Sequence, residues 1–222
     1  EKMINEKGGK IIKGVRDISL DFKNNKITSL RYLCPHKEAV ELDHLIYTAP
    51  LPLLAKQLKL RVPDLEYLNS IIYNIEVKRP LGNPNQWIYF GGQDLSFSRV
   101  SFPANFDLKN VPPGRDSLCL EATCRNNSLL WDNPESIKER FMEDLTKVNL
   151  CQKKDIEGIH IEKITHTYPI YKLNYLDEIE NIKKELSEFN NLTCLGREGT
   201  FWYNNMDESI GTALEAINNI GR

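Results

Sequence analysis

Residues 196–210 concentrate groups that can grip an anion: Gly196-Arg197-Glu198-Gly199-Thr200-Phe201-Trp202-Tyr203-Asn204-Asn205-Met206-Asp207-Glu208-Ser209-Ile210. Two glycines let a backbone approach a flat or charged ligand closely. A capped helix beginning near Asn205 or Asp207 would present free N–H groups and partial positive charge. Arg197 adds a planar fork suited to phosphate. Such a set suits a dinucleotide or an electron-rich ring, although a capped helix after a glycine loop is more often purely structural. A second cation, Arg99, lies on an expected strand between Phe97 and Val100, with Trp87, Tyr89 and Phe90 nearby. A cation among aromatic rings either stabilises by stacking or lines a pocket. Tyr168-Pro169-Ile170-Tyr171 sets two phenols around a proline, a pattern that also describes a rigid turn with packed rings.

Several elements must position these groups. Ile18, Leu20 and Phe22 alternate with polar residues, and Ile27, Leu30 and Tyr32 follow after Asn24-Asn25, which reads as a β-hairpin. Residues 43–50 form a short apolar strand stopped by a proline-bearing turn. Further strands are expected around Ile71 to Val77, Trp87 to Phe90, Phe97 to Phe102 and Leu118 to Leu120, with another through Ile159, Ile161 and Ile164. Asn133-Pro134 opens a helix with the stripe Ile137, Phe141, Leu145, Val148. A second helix carries Leu176, Ile179, Ile182, Leu186 and Phe189. Leu192 to Leu195 is a short strand, and the last helix carries Ile210, Ala213, Leu214, Ile217 and Ile220. The order predicts a mixed α/β (α+β) fold, with a central block of roughly 53–190 inserted between two pieces of another domain.

Composition narrows the classes. With 222 residues, 41% hydrophobic and 27% charged, the chain can bury a globular core. A net charge of −2 offers no basic surface for nucleic acid. The apolar stretch from Leu45 to Ala55 is too short to span a membrane and contains Pro50 and Pro52. Five scattered cysteines and four distant histidines have neither zinc spacing nor a C-x-x-C pair, so no metal is expected and reduced, cytoplasmic thiols are. No local signature supports a Ser/His/Asp or Cys/His nucleophile.

Read together, these segments resemble the flavoprotein superfamily of amine oxidases, protoporphyrinogen oxidases and UDP-galactopyranose mutases, with the eukaryotic-type mutases nearest. Trp87-Ile88-Tyr89-Phe90, Phe97-Ser98-Arg99-Val100 and Asn105-Phe106 resemble one mutase block. Tyr168-Pro169 resembles another. Gly196-Arg197-Glu198-Gly199, Tyr203 and Asn205-Met206-Asp207 resemble the C-terminal flavin segment, and Asp43 to Pro52 the strand and turn that leave the flavin domain.

The resemblance implies FAD as cofactor, held by Gly196, Arg197, Asn205, Met206 and Asp207, with Arg197 on the pyrophosphate. Arg99, Tyr168 and Tyr203 would bind the diphosphate of a nucleotide-sugar, isomerised through reduced flavin. A flavin oxidase acting on an amine or ring is the alternative. It also implies residues 1–52 as a partial FAD domain, 53–190 as a substrate-binding domain with an antiparallel or mixed sheet, and 191–222 as the C-terminal FAD segment. No G-x-G-x-x-G follows a strand anywhere in the sequence, so the chain is expected to be a fragment or one part of a split protein. Its partner would be the missing N-terminal FAD domain; alone, it would hold FAD weakly and be inactive. Apolar surface left by that partner could also drive a homodimer.

Overall fold

A computed structural model gives the fold and describes residues 1–92 and 94–220. In chain order the elements are α1 (Lys2–Glu6), β1 (Arg16–Lys23), β2 (Lys26–Leu33), β3 (Lys37–Glu41), β4 (Leu45–Tyr47), α2 (Leu51–Gln57) and β5 (Glu66–Val77). There follow β6 (Trp87–Tyr89), β7 (Arg99–Ser101), β8 (Asp116–Cys124), α3 (Leu129–Asp132), α4 (Lys138–Lys147) and β9 (Ile156–Ile170). The chain closes with α5 (Tyr175–Ser187), β10 (Leu192–Cys194), α6 (Gly196–Thr200) and α7 (Met206–Ile220). The fold is mixed α/β, as the sequence predicts.

Two compact units form, one from Glu1–Glu66 with Pro169–Arg222 and one from Tyr67–Tyr168. The second is narrower than the inserted block of 53–190 read from the sequence. Residues 61–66 and 172–178 are stitched together inside the first unit, where Arg61 pairs with Glu178 at 2.6 Å and Lys172 with Asp64 at 2.8 Å.

In the first unit, β1 and β2 form the expected hairpin. Asn24 and Asn25 take φ of 49° and 57°, the left-handed pair that a tight two-residue turn demands and asparagine tolerates. β3 extends the sheet as β1-β2-β3; its residues are all exposed, so no apolar alternation marked it in the sequence. Parallel strands β4 and β10 make a second, small sheet. Buried Asn191 joins the pieces: its amide accepts from the Ile27 N–H at 2.9 Å and donates to the Ile27 and Asp43 carbonyls. The proline-bearing turn expected after β4 is instead the start of α2. Pro50 and Pro52 sit at its N-terminus, where a missing N–H costs no helical bond.

The second unit is built on a five-stranded sheet of order β6-β7-β8-β5-β9. One face carries Ile71, Tyr73, Ile75, Val100, Leu118 and Leu120, packed with Phe141 and Leu145 of α4; all are at most 1% exposed. Tyr73 and Phe141 meet edge-on at 4.2 Å. Ser96 ties the segment ahead of β7 to α4 by donating its N–H and hydroxyl to buried Asp144, at 2.8 and 2.5 Å.

The apolar stripe of the last helix lies outward: Ile210, Leu214 and Ile217 are all more than half exposed and only Ala216 is buried. Among the described residues no helix is long and apolar enough to cross a membrane. All five cysteines are free thiols, and burial pushes Cys151 and Cys194 up to about 11.

Gly199 shows what the close packing in the first unit requires. A Cβ there would lie 2.7 Å from the Tyr47 carbonyl oxygen and 3.2 Å from the Thr48 Cα, both backbone atoms that cannot swing aside. Gly199→Ala is expected to destabilise by about 1–2 kcal/mol, the overpacking cost less the helix-propensity gain. At Gly211 of α7 a Cβ would meet nothing within 4 Å. Gly211→Ala should therefore stabilise by about 0.5–1 kcal/mol. Thermal melts of the two variants check the opposite signs.

Candidate functional site

Strand alternation creates the first cluster. Ile88, Val100 and Leu120 are register partners across β6, β7 and β8 and face the core. One residue along, Tyr89, Arg99 and Glu121 are partners and point to the opposite face. Glu121 is only 5% exposed, and three groups satisfy it. Arg99 forms an ion pair with it, the Tyr168 hydroxyl donates at 2.7 Å, and the Ser70 hydroxyl donates at 2.9 Å.

Arg99 has further neighbours. Its Nη1 donates to the Tyr89 hydroxyl at 3.4 Å, and its guanidinium lies 5.9 Å from that ring's centre. Its Nε is buried and has no hydrogen-bond partner among the described residues. Burial works against the Arg99 charge, but the Tyr89 hydroxyl and the Glu121 carboxylate outweigh it and hold the guanidinium above its ordinary value. The guanidinium is pinned, and with its side chain 32% exposed it can still meet an anionic oxygen.

A kink in β9 delivers Tyr168 to Glu121. His166 adopts a left-handed φ of 58°, a conformation needing outside support for a histidine. Asn69, 1% exposed, supplies it: its carbonyl oxygen accepts the His166 N–H at 3.1 Å and its amide donates to Asn126 at 2.6 Å. Burial also lowers the His166 pKa.

The second cluster belongs to the other unit. The loop expected over Gly196–Gly199 is a single helical turn, α6. Its two glycines, poor helix formers, hid it: Gly196 is needed for a φ of +73° at the helix entry, and Gly199 for the approach to β4. Arg197 on α6 reaches forward to the turn before α7. Its Nε and Nη2 donate to the Asn204 carbonyl at 3.2 and 2.6 Å, and its guanidinium stacks on the Tyr203 ring at 4.5 Å. It therefore points at the mouth of the last helix.

That mouth is capped from within. Glu208 reaches back to the Asn205 N–H at 2.7 Å, the reciprocal half of a capping box, and the Ser209 hydroxyl donates to buried Asn204 at 3.1 Å. Asn205 precedes α7 and Met206 and Asp207 open it. Met206 is 78% exposed. Burial raises the Glu198 pKa while Arg197 opposes the shift.

The structure thus joins Arg99 with Tyr168 through Glu121, and Arg197 with Tyr203 through the turn at Asn204. Glu121, Ser70, Asn69 and Asn204 escaped sequence reading. The one available signal was Glu121 itself, an acidic residue between the apolar positions Leu120 and Ala122 of β8.

No protein-family model matches the chain, and no curated protein matches it. Solved structures do. A reduced UDP-galactopyranose mutase superposes with a TM-score of 0.77 at 23% identity, covering 93% of this chain and 46% of that one. A putative protoporphyrinogen oxidase from Exiguobacterium sp. 255-15 gives 0.60 at 13% identity, covering 91% and 46%. An oxidoreductase from Methanosarcina mazei gives 0.60 at 17%, covering 89% and 47%. The chain has the fold seen in part of these proteins and spans less than half of their length.

Proposed function

We propose that this chain is part of an FAD-dependent enzyme that isomerises a nucleotide-sugar through reduced flavin, in the manner of a UDP-galactopyranose mutase. One observation carries the reading: on a strand face turned away from the core, Arg99 is fixed by buried Glu121, flanked by Tyr89 and Tyr168, and left 32% exposed. A departing diphosphate needs a preorganised cation of this kind, worth a few kcal/mol in a dry site. Tyr168 adds a phenol beside it, and Tyr203 is the nucleotide contact proposed for the other unit. The likeness in fold to a mutase, at a TM-score of 0.77, supports the same reading.

The residues present fit half of an FAD site. The Arg197 guanidinium suits a pyrophosphate, and the first-turn N–H groups at Met206 and Asp207, which no helical carbonyl can take, suit the electron-rich edge of a flavin. Gly196 allows the tight entry that places Arg197 there. When bound in its reduced state, FAD supplies a nucleophile for the sugar's anomeric carbon. Arg99 offsets the charge of the leaving diphosphate, and Tyr168 orients it. The ADP half falls to residues outside this sequence, and the exposed apolar face of α7 is the surface proposed to meet that partner.

The FAD-loaded native protein is expected to interconvert the pyranose and furanose forms of UDP-galactose after dithionite reduction, with no net oxidation of substrate. Steady hydrogen peroxide production from an amine, without sugar isomerisation, would replace this reading with the oxidase alternative.

A further inference from the structure

We propose that Tyr171 is a positioning residue for Tyr203, and so for the nucleotide contact assigned to Tyr203 above, on which this inference rests. Tyr203 sits between α6 and α7, so its N–H has no place in either helix ladder. The Tyr171 hydroxyl oxygen accepts that N–H at 2.8 Å. Its ring is set by Tyr175, 4.6 Å away between centres, and by Phe201 at 6.0 Å edge-on. Phe201 is itself 1% exposed with a left-handed φ of 52°, a conformation that pins where the turn leaves α6.

The turn is therefore held from two sides. Arg197 takes the Asn204 carbonyl and covers the Tyr203 ring, while Tyr171 takes the Tyr203 amide. With the amide and the next carbonyl both held and the ring stacked against Arg197, the Tyr203 phenol is presented in one orientation. Tyr171 is 47% exposed, so the core does not need its hydroxyl. The oxygen serves the turn.

Tyr171→Phe keeps the ring contacts and removes only the acceptor. Hydrogen exchange of the Tyr203 amide should accelerate in this variant with no ligand present. In FAD-loaded native protein its Kd for UDP should rise roughly two- to tenfold, the range of one net hydrogen bond, with the melting temperature unchanged within about 2 °C. Tyr203→Phe should also raise the Kd, and Tyr171→Phe/Tyr203→Phe should bind no worse than Tyr203→Phe alone, because Tyr171 acts through Tyr203.

Unchanged amide exchange, an unchanged Kd in Tyr171→Phe, or two effects that multiply would each overturn the assignment while leaving the nucleotide reading in place. Wild-type protein that binds no UDP would overturn that reading and the role of Tyr171 with it, even with the amide exchange as expected.

Discussion

If Arg99 holds the diphosphate as proposed, replacing it by alanine should weaken UDP binding about a hundredfold, two charge-assisted contacts at roughly 1.4 kcal/mol each. The same change strands Glu121, 5% exposed, with two hydroxyl donors and no counter-charge. Breaking a fully buried pair costs about 3–5 kcal/mol; Arg99's side chain is 32% exposed, so a loss of about 2–3 kcal/mol is expected. Arg99→Lys separates the two consequences. A lysine restores charge opposite Glu121 and most of the stability, but a single ammonium cannot meet carboxylate, phenol and phosphate together. Its UDP affinity should stay about tenfold below wild type. Isothermal titration with UDP, paired with thermal melts, reads both. Wild-type affinity in Arg99→Lys would show that the guanidinium fork has no special part.

The second large effect is expected at Arg197. Arg197→Met removes the donors to the Asn204 carbonyl and the cation on the Tyr203 ring. Asn204 is 3% exposed, so its carbonyl would lose its partners in a dry setting, at a cost of about 1–3 kcal/mol. If Arg197 also holds the FAD pyrophosphate, cofactor retention falls by at least tenfold as well. Flavin absorbance per protein after gel filtration measures this. A variant that melts early yet keeps its full flavin content would confine Arg197 to the turn.

Much of this scaffold could be read from residues alone, where the signal is local. The Asn24-Asn25 hairpin, the α4 stripe through Phe141 and Leu145, and the β5 alternation through Ile71, Tyr73 and Ile75 each depend on neighbours a few positions away. The site was half legible for the same reason. Arg99, Tyr168, Arg197 and Tyr203 belong to recognisable short patterns, whereas Glu121 acquires its meaning from Ser70, 51 positions earlier, and Tyr168, 47 later. Gly199 read as a loop residue because glycine disfavours helix; its reason is the Tyr47 carbonyl, more than 150 positions upstream. α7 was legible as a helix, but its periodicity could not say that Ile210, Leu214 and Ile217 face outward.

We propose that the polar face carrying Arg99, Glu121 and Tyr168 receives the diphosphate of a nucleotide. A crystal structure of the FAD-loaded native protein with UDP checks this. Phosphate oxygens are expected within hydrogen-bonding distance of the Arg99 guanidinium. UDP ordered elsewhere, with Arg99 still closed on Glu121 and no phosphate beside it, would rule this out.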